Sequence, residues 1–419
     1  MLFNSYGFIF VFLPISLCIF FLFSRFKLTK AATAALVLAS LIFYSYWNVK
    51  HLPLILLSII INYGIGKQVE KKRPGRGAGL YLALGITVDL LLLGYFKYAN
   101  FLIDSINFAA HTDFQIGKIV LPLGISFYTF TQIGYLVDAY RGETRNYGFL
   151  TYCLFVTFFP HLIAGPILYH RDIIPQFHRP GFFVFSYENF CKGVAFFTLG
   201  LFKKVVVADS LIAWVDPVFK NAYKVTFFDS WAGALAYTMQ LYFDFSGYSD
   251  MAVGLGLMLN TALPVNFNSP YKSSSIIDFW RRWHITLSNF LKLYLYIPLG
   301  GNRKGYPRKM LNLFVTMLLG GLWHGAGWTF VLWGGLHGAY LVVNHTWRRL
   351  DFKLPPALSR PLTFLAVVAA WVVFRANSVH DAFAVLKAMA GLNAFVLPAK
   401  YQPFLSPLAG GGLKFQDSM

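Results

Sequence analysis

Charge is what this 419-residue chain is most short of. Asp, Glu, Lys and Arg make up 13% of it, against roughly 25% in a soluble globular domain. Acid is scarcer still, with 17 Asp and Glu facing 36 Lys and Arg. Cysteine is nearly absent. Cys18, Cys153 and Cys191 are scattered with no pairing or metal-ligand spacing, which excludes a disulfide framework and a zinc module. They read as small core residues. A Gly-rich phosphate loop and a serine nucleophile elbow are also missing, so no metal and no phosphate-loop chemistry is expected. No internal repeat or inverted symmetry appears, which counts against a secondary transporter.

What is present is apolar. Hydrophobic residues reach 57% and aromatics 19%, with 44 Phe and 24 Tyr, and the mean hydropathy is +0.55. Apolar stretches fall near 6–23, 31–48, 52–66, 78–99, 117–137, 149–169, 189–215, 229–262, 310–326, 328–347, 361–375 and 381–397. They predict an all-α polytopic membrane protein of roughly ten to twelve spans, some short, broken or re-entrant. The N-terminus lacks a basic n-region and a small-residue cleavage site, so it reads as a retained first helix.

The formal net charge of +19 does not point to nucleic acid. Lys and Arg cluster in short loops, as the positive-inside rule requires. "SRFKLTK" (24–30) and "KQVEKKRPGRG" (67–77) sit two helices apart and so share one side. That side is expected to be cytoplasmic, with the N-terminus outside. The partners implied are membrane lipid and an anionic cofactor at the inner face. The polar-to-basic stretch 264–309, broken by Pro264, Pro270 and Pro298, predicts an amphipathic or re-entrant segment rather than a simple span.

Polar residues inside apolar runs mark the candidate site. In "MLLGGLWHGAGWTF" (317–330), His324 follows Trp323 and precedes Gly325, and glycines stand at 320, 321, 325 and 327. An ionisable side chain at membrane depth is costly and normally faces the protein interior or a water-filled cavity. The glycines clear space for close backbone approach. A neutral imidazole there suits general-base work; a histidine hydrogen-bonded between helices is the plainer alternative.

"DFWRRWHITLSNF" (278–290) packs Asp278, Arg281, Arg282, Trp283, His284 and Ser288 among aromatics. On one helix, His284 and Ser288 share a face, as do Asp278 and Arg282. Either this is an interfacial anchor or its polar groups line the reacting centre, with the arginines meeting phosphates. Asp244, Ser246, Ser249 and Asp250 form either a network stitching helices or a polar chamber wall. His161 lies in a broken helix and reads as structural, His337 is open between the two readings, and Asp89 is expected to pair with a basic residue. His51, His111, His170, His178, His345 and His380 lie in or beside loops and carry no assigned role.

"FWRRWHITLSNFLKLYLYIPLGGNRKG" followed by "LLGGLWHGAGWTF" resembles the membrane-bound O-acyltransferase (MBOAT) family, in its bacterial alginate and cellulose acetylating branch. "LPLGISFYTFTQIGYLVDAYRG", "FPHLIAGPIL" and "YFDFSGYSDMAVGLGLM" look like the same branch. The chain departs from it at Lys292-Leu293, where relatives commonly carry a basic–acidic pair. The resemblance implies one transmembrane domain over 1–397, a ring of helices around a central tunnel, and a short tail at 398–419 that ends as a truncated chain would. It also implies that His324 and His284 are catalytic. Asp278, Arg281, Arg282, Trp283, Ser288, Trp323, Gly325, Asp244, Ser246, Asp250, His161 and His337 would then line the tunnel. Acetyl would pass from a cytoplasmic thioester, acetyl-CoA or an acyl carrier, to an exopolysaccharide outside the bacterial inner membrane. A periplasmic acyltransferase partner would finish the transfer, and no resident cofactor is needed. The oxyanion donors are left among His284, Trp323 and backbone N–H groups. D-alanyl transfer to teichoic acid and transport of a polymer are the rival readings.

Overall fold

A computed structural model describes every residue except Pro74, Lys353, 399–412 and 417–419. The described chain is a succession of helices with one short parallel strand pair, Phe395–Pro398 with Leu413–Gln416. Of the tail at 398–419, only Pro398 and the second strand are therefore described. Helices dominate because lipid offers backbone N–H and C=O groups no partner, so each segment must satisfy its own.

Among the described residues, four helices are long and apolar enough to cross a membrane: Phe8–Arg25, Val49–Lys72, Arg76–Ala110 and Pro356–Arg375. Thr29–Ser45 is apolar but shorter. Other apolar stretches are broken or carry charge. The 149–169 stretch splits at Phe158 into Phe149–Thr157 and Phe159–Leu162, with Pro160 opening the second piece. The stretch 229–262 becomes the 32-residue helix Phe227–Met258, which holds Asp229, Asp244 and Asp250.

The chain forms two compact units. The first comprises Met1–Phe202, Ser246–Asn268 and His284–Leu295; the second comprises Lys203–Phe245, Ser269–Trp283 and Tyr296–Met419. In the first, phenylalanines pack edge to face: Phe12 against Phe159 at 5.5 Å and Phe8 against Phe43 at 5.7 Å. Gly193 lies so close to the 227–258 helix that a Cβ there would come 2.6 Å from the Gly254 carbonyl. Buried polar groups pair with one another. Gln132 donates to Ser58 Oγ at 2.7 Å and accepts from the Tyr152 hydroxyl at 3.2 Å. The partner of Asp89 is the Asn62 amide, at 2.8 Å, and not the cation expected from sequence. The amide donates to one carboxylate oxygen without bringing a second charge out of water.

In the second unit, helix Gly305–His324 turns back through Gly325–Gly327 into helix Trp328–Arg349. The two cross at Gly321 and Gly334. A Cβ on Gly334 would lie 3.0 Å from Leu318 Cα and meet the Met317 carbonyl, and one on Gly321 would meet the Phe330 carbonyl. Small residues at such crossings let backbones approach and dispersion contacts accumulate. Gly335, one position on, has room for a Cβ, which would make ordinary contact with Leu318 Cδ1 at 3.9 Å.

This neighbouring pair makes a direct test. Gly334→Ala is expected to destabilise the protein by about 1–3 kcal/mol through overpacking. Gly335→Ala should be neutral or slightly stabilising, by up to about 1 kcal/mol, from helix propensity alone. Denaturant unfolding of the two purified variants in detergent reads the difference, and equal stabilities would refute the crossing geometry.

Candidate functional site

His324 is the last residue of its helix, and Gly325 continues in extended backbone. The imidazole is half-buried and boxed by aromatic rings: Trp323 at 5.1 Å, Trp333 at 5.0 Å and Phe374 at 5.4 Å between centroids. A Cβ on Gly325 would collide with the Phe330 ring. The glycines of this stretch thus do two jobs. Gly321 admits the neighbouring helix, and Gly325 leaves room for the Phe330 ring, which packs on Phe374 at 5.0 Å.

The same rings reach His337. It is fully buried, 4.7 Å from Trp333, and its Nδ1 accepts the Trp280 indole N–H at 3.2 Å. An indole nitrogen can only donate. The neutral His337 ring therefore carries its proton on Nε2, which has no hydrogen-bond partner among the described residues. Phe279 stacks on Trp283 at 5.7 Å, and Trp371 lies 4.8 Å from Trp283 and 5.7 Å from Trp333. The structure thus gathers Trp283, Trp323, His324 and His337 into one aromatic cluster of the second unit.

The stretch 278–290 is not one helix. Ser275 caps Ile276–Trp280 by accepting the Asp278 N–H at 3.1 Å. The chain then turns at 281–284, and a second helix, Ile285–Leu291, follows. Asp278 and Arg282 do meet, at 2.9 Å, while Arg281 is exposed. His284 and Ser288 do not share a helical face as drawn from sequence. His284 stands before the second helix with φ 42° and ψ 56°, and its carbonyl accepts the Ser288 N–H at 3.0 Å. A left-handed non-glycine backbone costs on the order of 1–3 kcal/mol and persists only where the surroundings over-determine it. Here Asn266 does so, its carbonyl accepting the Ile285 N–H at 3.0 Å and its side-chain oxygen lying 3.1 Å from His284 Nδ1.

In the second unit, Asp244 is 47% exposed and bridges to Lys204 at 2.6 Å, and Lys204 also holds Asp209 at 2.9 Å. In the first unit, Ser246 is buried with no hydrogen-bond partner for its hydroxyl among the described residues, while Asp250 is half-buried. His161 is buried, and its Nε2–H donates to the Phe155 carbonyl at 3.0 Å, closing the broken helix end. Among the described residues, no group of three or more His, Cys, Asp or Glu is placed to hold a metal ion.

One cluster escaped sequence reasoning. His170, left without a role, is 1% exposed, and its Nε2 lies 3.1 Å from Asp138 Oδ2. The Tyr294 hydroxyl donates to the same oxygen at 2.7 Å, and the Tyr147 hydroxyl sits 3.1 Å from His170 Nδ1. Arg141 Nη1 is 3.5 Å from the other carboxylate oxygen, and Arg141 also donates to the Leu293 carbonyl at 3.2 Å. The network ties helix Ile125–Arg141 to the segment that begins at His284. Its one local signal was an acid inside the apolar run "GYLVDAY". Removing that acid in Asp138→Ala orphans two donors and is expected to cost about 1–3 kcal/mol. Arg171→Ala, which breaks an exposed pair with Glu143, should cost about 0–1 kcal/mol. Unfolding midpoints of the two variants check the ranking.

Residues 137–375 match the membrane-bound O-acyltransferase family (MBOAT). Peptidoglycan O-acetyltransferase of Helicobacter pylori is 44% identical over 427 residues, covering 95% of this chain and 81% of that protein. The probable alginate O-acetylase AlgI of Pseudomonas aeruginosa is 44% identical over 424 residues, 99% of this chain and 79% of that protein. The teichoic acid D-alanyltransferase of Streptococcus thermophilus is more distant, at 27% over 242 residues, 54% of this chain and 57% of that one. The chain therefore belongs to the membrane-bound O-acyltransferase family and is a membrane-embedded acyltransferase.

Proposed function

We propose that this acyltransferase is an O-acetyltransferase of the bacterial inner membrane. It moves acetyl from a cytoplasmic thioester, acetyl-CoA or an acyl carrier, toward an exported polysaccharide such as alginate or cellulose. The observation that carries the reading is His324, an ionisable ring at the end of an apolar helix, walled by Trp323, Trp333 and Phe374. The names of the two 44%-identical relatives support acetyl as the group and a saccharide polymer as the destination.

The chemistry follows from what thioester transfer needs. The acceptor hydroxyl gives its proton to an imidazole as its oxygen bonds to the carbonyl carbon. The C–S bond then breaks, and the proton passes to the departing sulfur. Dry aromatic walls keep water from taking the place of the hydroxyl. His324 is the residue assigned to this proton, and His284 is the second histidine of the reaction. The helices would surround a tunnel open to both membrane faces, with donor phosphates met by basic loops and by Arg281 and Arg282. Outside, a periplasmic acyltransferase would complete delivery to the polymer. The likeness to the D-alanyltransferase supports a second reading, transfer of D-alanine to teichoic acid, over only 54% of this chain.

Purified chain in detergent with radiolabelled acetyl-CoA tests the proposal. Wild type should consume the donor, and His324→Ala should be slower by about 100-fold or more. A His324→Ala protein with wild-type donor turnover and polymer acetylation would sink it.

A further inference from the structure

His284 and Asn266 are both 1% exposed and belong to the first unit. The Asn266 side-chain oxygen accepts the Thr286 backbone N–H at 3.2 Å. A backbone N–H can only donate, so the atom at that position is the amide oxygen and not its nitrogen. The Thr286 hydroxyl also reaches this oxygen, at 3.0 Å. That hydroxyl is itself held by the Ile167 N–H, again at 3.0 Å, so its own hydrogen points toward Asn266. An oxygen already receiving these donors can meet His284 Nδ1, 3.1 Å away, only if Nδ1 carries a hydrogen. In the neutral imidazole the lone pair is then on Nε2.

We propose that Asn266 is the positioning residue that makes His284 a proton acceptor at Nε2, holding both its tautomer and its left-handed backbone. The inference rests on the acyl-transfer reading above. It also removes neutral His284 from the candidate oxyanion donors, because its one N–H is already committed to Asn266. When Nε2 takes a proton the ring becomes an imidazolium, and the Nδ1–H bond to the amide oxygen is kept. Asn266 lies in "PVNFNSP", the polar opening of the 264–309 stretch. Its Nδ2 has no hydrogen-bond partner among the described residues. An aspartate at this position would therefore keep every bond that the asparagine makes.

Three variants of the full-length protein separate positioning from packing, read by acetyl-CoA turnover alongside wild type and His324→Ala. Asn266→Leu removes the acceptor and should lower kcat by about 100-fold with little change in KM. Asn266→Asp restores the acceptor, should recover most of kcat, and should move the acid limb of the pH profile upward, because a carboxylate favours the imidazolium. Thr286→Val removes one of the other bonds to the same oxygen and should lower the unfolding midpoint while leaving kcat near wild type. Wild-type kcat in Asn266→Leu overturns the inference. So does Asn266→Asp as slow as Asn266→Leu when both are folded. In either case an inert His324→Ala leaves the acyl-transfer reading standing. A wild type inert toward acetyl-CoA and toward a carrier thioester overturns that reading, and this inference with it.

Discussion

A polar group at membrane depth must find its partner within the chain, and that constraint organises both units. Water is not available to finish an incomplete hydrogen bond, so the buried acids, amides and imidazoles among the described residues each have at least one specific neighbour. Asp89 has Asn62, Gln132 has Ser58 and Tyr152, and Asp138 has Tyr294, His170 and Arg141. These pairs decide which helices can lie together. Glycines then decide how closely, as at Gly193 in the first unit and Gly321 with Gly334 in the second. Apolar packing fills the remaining volume, but it is non-directional and would tolerate other registers.

That division explains what could be read from sequence. The surroundings of His324 were legible only in part: Trp323, Gly321 and Gly325 stand beside it in sequence, whereas Trp333 and Phe374 are brought in by the fold. The Asp278–Arg282 pair was legible because a four-residue spacing holds even across one short helix. The break at His284 was not. No proline or glycine marks it, and the left-handed turn is imposed by Asn266, which lies 18 residues earlier. Asp138 and His170 are 32 residues apart, so an apparently idle loop histidine and an isolated acid gave no sign of forming one network. Apolar runs also do not say which of the expected spans are broken, for a related reason. Hydropathy does not register a break such as that at Phe158–Pro160, because both pieces remain apolar.

Histidine shows most clearly what the fold adds. The side chain is the same at each position, yet a single neighbour decides whether it offers a proton or a lone pair. At His161 a backbone carbonyl accepts from Nε2, and the ring is used up as a cap. At His170 a carboxylate faces Nε2 and a tyrosine hydroxyl faces Nδ1, so both nitrogens are engaged. At His337 an indole donor occupies Nδ1 and leaves an N–H on Nε2. At His284 an amide oxygen occupies Nδ1 and leaves a lone pair on Nε2. Two of the four therefore have their hydrogen-bonding nitrogens taken up by structure, and the other two hold opposite tautomers. Motif matching can locate such histidines, but the residues that fix their opposite tautomers, Asn266 and Trp280, lie 18 and 57 positions away.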